Sequence, residues 1–100
     1  MSYRLRFTNA AREDLLRLYA FQLERDLSVA ERARESIAKG FELLRDFPFS
    51  CRKAAPTDSP FLRELLIPFG DSGFVALFEI EDDTTVTVLA VRHQFEDDYY

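Results

Sequence analysis

The side chains that most often carry chemistry are scarce in these 100 residues: one cysteine, one histidine, one methionine, no tryptophan and three glycines. A lone Cys51 excludes an internal disulfide and agrees with a reducing compartment. His93 and Cys51 stand 42 positions apart and supply no recognisable ligand set, so no metal and no cofactor is expected. Three Gly and four Pro exclude a collagen-like repeat and a low-complexity chain. Charges interrupt every apolar run before about 18 residues, and Met1-Ser-Tyr-Arg-Leu-Arg-Phe7 has no apolar signal core. A soluble, cytoplasmic protein without membrane association is expected. Phosphate loops, dinucleotide fingerprints, paired carboxylates and Ser/His/Asp arrangements are absent too. Gly70-Asp-Ser-Gly73 is too short and wrongly flanked to cradle a phosphate.

What is present is a globular composition, 47% hydrophobic and 31% charged, in one domain over residues 1–100. The charge is unevenly spread. Residues 1–50 hold nine Lys/Arg against eight Asp/Glu, a balance of +1, and residues 51–100 hold four against ten, a balance of −6. Nucleic-acid binding depends on neutralising phosphates, so this balance argues against direct, sequence-specific binding of RNA or DNA.

Tyr3 to Phe7 alternates apolar and basic residues, as a half-buried strand does. Thr8 or Asn9 then caps a helix running to about Arg25. Ala11, Leu15, Leu16, Leu18, Tyr19, Ala20 and Leu23 share a broad apolar arc on it. Phe21 falls among the charges opposite and is either a lone exposed aromatic or an anchor for a partner. Ser28-Val-Ala-Glu31 reads as a capping box, with Leu27 as a staple. Ala30, Ala33, Ile37, Phe41 and Leu44 then form an inner stripe, where Ala30, Ala33 and Gly40 permit close approach. The link is so short that the two helices read as an antiparallel hairpin. Phe47-Pro48 ends the second helix, and residues 48–60 read as a loop. Three strands follow, Phe61–Phe69, Phe74–Glu81 and Thr84–Arg92, turning at Gly70–Gly73 and Asp82-Asp83. The fold expected is α+β, β-α-α-β-β-β, with a helical hairpin on one face of a small antiparallel sheet. The tail from Phe95 is read as a helical turn or a loose end.

His93 is either a strand-end residue bonded to backbone or a tail carboxylate, or part of a functional surface. Arg92 is either a salt-bridge partner of Glu96 or an exposed recognition residue. Arg52 and Lys53 beside Cys51 would lower the thiol pKa, but no base is placed to use it, and an ordinary thiol is the reading. Asp97-Asp98 with Tyr99-Tyr100 sets aromatics beside charge, which suits an interface anchor as well as a solvated end.

Several segments occur in a telling order: Thr8-Asn-Ala-Ala-Arg-Glu-Asp-Leu-Leu16 after a strand, Leu43-Leu-Arg-Asp-Phe-Pro48, Leu62-Arg-Glu-Leu65, and Asp71-Ser-Gly-Phe-Val-Ala-Leu-Phe78. Val86-Thr-Val-Leu-Ala-Val-Arg-His93 closes the series. Over nearly the whole chain this resembles the bacterial RelE/ParE toxin superfamily. The resemblance implies the toxin of a type II toxin–antitoxin system, checked by a cognate antitoxin whose complex with it can bind operator DNA through the antitoxin. One branch, RelE-like, cleaves messenger RNA on the ribosome with lysines before the Ser-Gly turn and an arginine after the following aromatic. Here those places read Leu65-Leu66-Ile67-Pro68 and Val75, and only Arg63, Arg92 and His93, with the more distant Arg52-Lys53, are left to act on a phosphodiester. The other, ParE-like branch poisons DNA gyrase by binding and without catalysis, and this chain is more similar to it. A diverged relative kept as an antitoxin-binding module is the third possibility. The expected target-binding residues are Arg92, His93, Phe95, Tyr99 and Tyr100. The expected antitoxin contacts are Phe21, Leu43, Asp97 and Asp98, on a segment bringing Lys or Arg and apolar anchors.

Overall fold

The computed structural model describes residues 2–54 and 59–95. Alternation in the first residues produces β1 (Arg4–Phe7), and Thr8 then turns the chain into α1 (Asn9–Arg25). After α2 (Leu27–Asp46) come a 3₁₀ turn (Pro48–Ser50), β2 (Arg52–Lys53), β3 (Leu62–Phe69), β4 (Ser72–Ile80) and β5 (Thr85–His93). The strands form one sheet in the order β1-β5-β4-β3-β2. The α+β order expected from the sequence is the one observed, with two differences. The helical hairpin returns β1 beside β5 in the parallel sense, so the sheet is mixed. Residues 52–53, read as loop, pair with Glu64 and Arg63. Two residues are too few to show a period, and what fixes them is tertiary: the Arg52–Glu64 ion pair at 3.0 Å and the Ala54 amide on the Leu62 carbonyl at 2.9 Å. The tail after Phe95 lies outside the described residues.

The second helix starts differently from its expected capping box. Asp26 is the N-cap: its carboxylate accepts from the Ser28 amide and the Ser28 hydroxyl, both at 2.7 Å. Those bonds, the hydroxyl's first, hold the Asp26 carboxyl below its usual pKa. Glu31 does not reach back. It accepts instead from the Tyr19 hydroxyl at 2.8 Å and from Arg34 at 2.7 Å, tying α2 to α1. Asp26 also closes α1, its amide donating to Gln22, so one residue links the helices. A carboxylate at this position meets the positive end of the macrodipole as well as the free amides. Leu27 stays 62% exposed and staples nothing.

The apolar arc of α1 is narrower than its sequence suggests. Ala11, Leu18 and Gln22 are buried, whereas Leu16, Ala20 and Leu23 are exposed. These three lie more than about 100° around the helix from the buried seam, at 3.6 residues per turn. On α2 the expected stripe holds, with Ala30, Ala33 and Leu44 buried and Ile37 and Phe41 against the core. Gly40 serves the sheet rather than the partner helix: a Cβ there would stand 2.9 Å from Cγ1 of Ile67. The β3–β4 turn shrinks from four residues to Gly70-Asp71, because Phe69 pairs with Ser72. Gly70 at φ +61° supplies the first central residue of a type II′ hairpin.

Phe74, Ala76, Phe78 and Ile80 face the helices, with Leu65, Ile67, Val86, Val88 and Val91 completing the core. Alternation along β5 is broken once. Phe78 pairs with Val88 but Leu77 pairs with Ala90, so Leu89 is an extra, bulged residue. Val88 and Val91 therefore share the inner face, and His93 follows them inward opposite Phe74, while Arg92 turns outward opposite Val75. The backbone groups released by the bulge are taken up by α1. The Thr8 hydroxyl donates to the Leu89 carbonyl at 3.1 Å, and the Val91 amide donates to the Asp14 carboxylate at 2.9 Å. Removing that acceptor leaves a buried amide unsatisfied. Asp14→Ala is expected to destabilise the chain by about 1–3 kcal/mol, read as a lower urea midpoint at unchanged slope. An unchanged midpoint would refute the role assigned to the carboxylate.

Candidate functional site

The end of β5, the Gly70-Asp71 turn and the second half of α1 converge at one end of the sheet. They enclose an open groove of about 840 Å³. Leu18, Gln22, Val29, Phe69 and His93 lie along it, with Phe21 and Phe95 standing over it. Arg17 and Arg25 enter from α1 and Arg32 from α2, against a single carboxylate, Asp71. Phe21 and Phe95 are 55% and 74% exposed. A second groove of about 570 Å³ opens between the two helices. Its walls are apolar: Leu15, Leu16, Ile37 and Phe41, with Phe7 and Phe74 at its base.

His93 is held from both ring nitrogens. The Phe95 amide donates to Nδ1 at 3.2 Å, and Nε2 lies 3.1 Å from the Ser72 hydroxyl. An acceptor Nδ1 puts the proton of the neutral ring on Nε2, which then donates to Ser72. This tautomer cannot take a proton from Ser72, so the pair is a brace between β4 and β5, not a nucleophile with its base. The ring stands edge-on to Phe74, centroids 5.8 Å apart, and 5.3 Å from Phe95.

The remaining expected residues lie elsewhere. Arg92, on the opposite face of the sheet, donates to the His93 and Gln94 carbonyls at 3.3 Å. It follows Leu66 and Val75 in one cross-strand row, so apolar side chains occupy the rest of that row. Arg63 is a clamp: its guanidinium donates to the carbonyls of Pro60, Phe49 and Cys51 at 2.7, 3.1 and 2.5 Å and stacks over the Phe49 ring. It pairs with Phe78 while His93 pairs with Phe74, a separation of about 13 Å along the strand. Arg63, Arg92 and His93 are thus not gathered. Leu43, 43% exposed, lines neither groove. Asp97, Asp98, Tyr99 and Tyr100, and Glu96 with them, lie outside the described residues. Burial raises the Cys51 thiol above its usual pKa, outweighing the Ser50 hydrogen bond and the Arg63 charge. The neighbouring Arg52 spends its own charge on Glu64. Among the described residues no three His, Cys, Asp or Glu side chains cluster as metal ligands, and no helix is long and apolar enough to cross a membrane.

Sequence reasoning missed the three groove arginines and Ser72. A signal existed for two of them, since Arg17, Phe21 and Arg25 recur at four-residue steps and so form one stripe of α1.

A domain of this topology, with two open grooves beside its helices, can now be set beside known proteins. The family model of the ParE toxin of type II toxin–antitoxin systems, parDE, matches residues 5–98. No curated protein matches the sequence. Among solved structures, a chain of the chromosomal ParDE toxin–antitoxin system from P. aeruginosa shares the fold. The TM-score is 0.72 at 19% identity, covering 92% of this chain and 96% of that one. The chain belongs to the ParE toxin family of type II toxin–antitoxin systems.

The His93 assignment is directly measurable. Nitrogen-15 correlation spectra of the neutral ring are expected to show the Nε2-protonated tautomer, and the Nδ1-protonated pattern would refute the brace.

Proposed function

We propose that this toxin acts in the cytoplasm by docking on DNA gyrase, without catalysing a reaction, and that a cognate antitoxin neutralises it. The observation that carries the reading is the dispersal of Arg63, Arg92 and His93 over two faces and two ends of the sheet. Phosphodiester cleavage needs positive charge and a base converging on one linkage, whereas docking needs only exposed, shaped surface. Family membership supports both the toxin role and the antitoxin partner. Target contacts are assigned to Arg92 on one face of the sheet end and to His93 and Phe95 on the other, with Tyr99 and Tyr100. The antitoxin surface is assigned to Phe21 and Leu43 with Asp97 and Asp98, and the apolar groove beside Leu16 suits an amphipathic segment of the same partner. In the complex, the antitoxin would supply any contact with operator DNA.

A supercoiling assay with purified chain and gyrase tests the target. Inhibition with accumulation of cleaved DNA is expected. Cutting of ribosome-bound messages with unimpaired supercoiling would replace this reading by the nuclease one. Replacing exposed Phe21 by Asp is expected to weaken the antitoxin complex by more than ~1 kcal/mol with the thermal midpoint of the free toxin unchanged. Unaltered affinity would remove Phe21 from the antitoxin surface.

A further inference from the structure

A net charge of −5 suggests a cationic partner, yet the groove under Phe21 carries the opposite sign. Arg17 and Arg25 stand one turn to either side of Phe21 on α1, Arg32 faces them from α2, and Asp71 is the one acid among the described lining residues. Arg17 also has the largely buried Asp14 at 3.6 Å, so its charge is shared with that carboxylate. Arg25 and Arg32 are exposed. Guanidinium groups bind carboxylates through paired, charge-assisted hydrogen bonds, which gives direction as well as attraction. Arg17 and Arg25 are eight residues apart, about 12 Å along the helix, the reach of roughly four residues of extended chain. Between them Phe21, with Phe95 across the groove, offers an apolar seat.

We propose that this groove receives an acidic segment of a partner protein, an extended stretch of alternating carboxylates around one aromatic or aliphatic anchor. A nucleic acid fits the groove less well. Its affinity grows with the number of phosphates neutralised, the groove offers three cations, and a longer polyanion runs on over a chain of net negative charge. For this groove the partner's charge is therefore the reverse of the Lys- or Arg-bearing segment that the overall balance suggests. The proposal rests on the reading of the chain as a docking toxin, but its chemistry can be measured on the isolated protein.

Fluorescence anisotropy with three labelled probes provides the test: a short peptide with Glu and Asp around one Phe, its twin with Lys in place of the acids, and an oligothymidylate of similar length. The acidic peptide is expected to bind best and more weakly as salt rises. Charge reversal in Arg25→Glu/Arg32→Glu should weaken it at least about tenfold and shift preference to the Lys twin. Arg25→Gln/Arg32→Gln should weaken it without that shift, and Lys39→Glu, on the outer face of α2, should leave it unchanged. Circular dichroism confirms that each variant is folded. The proposal is overturned if the acidic peptide does not bind, if the Lys twin binds as well, or if oligothymidylate binds more tightly. It is equally overturned if Lys39→Glu weakens binding as much as the Arg25/Arg32 reversal does. Peptide binding without gyrase inhibition would leave the groove's preference standing and remove the target. Gyrase inhibition without peptide binding would do the reverse.

Discussion

Where β1 ends at Phe7, the outer edge of β5 loses its strand partner just as the Leu89 bulge disturbs its hydrogen-bond ladder. Unpaired amides and carbonyls in a core wall are costly, and α1 supplies their partners. Thr8 caps its own helix by accepting from the Ala11 amide and donates to Leu89 with the same hydroxyl, while Asp14 accepts from Val91 a turn further on. Helix position and strand register are thereby set together. The inward turn of His93 and the outward turn of Arg92 follow from that one junction. A bulge re-aims every side chain beyond it, so without this bulge the groove would have Arg92 at its floor.

Charge in this protein is distributed by neighbourhood, not by average. The acid-rich second half places Glu81, Asp82 and Asp83 on an exposed hairpin tip at the far end of the sheet from His93. Asp82 there is occupied locally, accepting from the Thr84 amide and hydroxyl, which holds its carboxyl below the usual pKa. Arg17, Arg25 and Arg32 of the helical hairpin gather at the opposite end. Long-range attraction thus comes from one pole of the molecule while the total remains negative.

The two grooves differ in chemistry as they do in position. The groove between the helices is closed below by Phe74 and bordered by the exposed Leu16, a surface that rewards burial of apolar area without fixing direction. The groove at His93 combines rings with guanidinium groups, which fix direction and sign. On the proposed reading, a partner engaging both would gain affinity from the first and selectivity from the second. Neither demands the close convergence of groups that catalysis requires, and Arg63, bonded to three carbonyls, holds the Pro48–Ser50 turn and β3 together instead.

Much of the architecture was legible in local pattern. Alternation around Phe74 to Ile80, the stripe from Ala30 to Leu44, Thr8 before the first helix and Pro48 after the second are short-range signals, and the backbone obeys them. The element order follows, and with it the resemblance to the RelE/ParE superfamily. The errors arose where two residues, near or distant in the chain, compete for the same group. Asp26 displaced Ser28 as the cap because it lies in the link between the helices. Glu31 was drawn off by Tyr19, and Arg52-Lys53 became a strand because Glu64 lay opposite. Periodicity also cannot contain a bulge, since a bulge is the interruption of the period. The sequence by itself determined the two helices, the strands β1, β3, β4 and β5 and the inner stripe of α2, because those preferences act over a few residues. Only the tertiary structure decided the sign of the groove under Phe21 and the face on which His93 lies, because both depend on how α1, α2 and β5 meet.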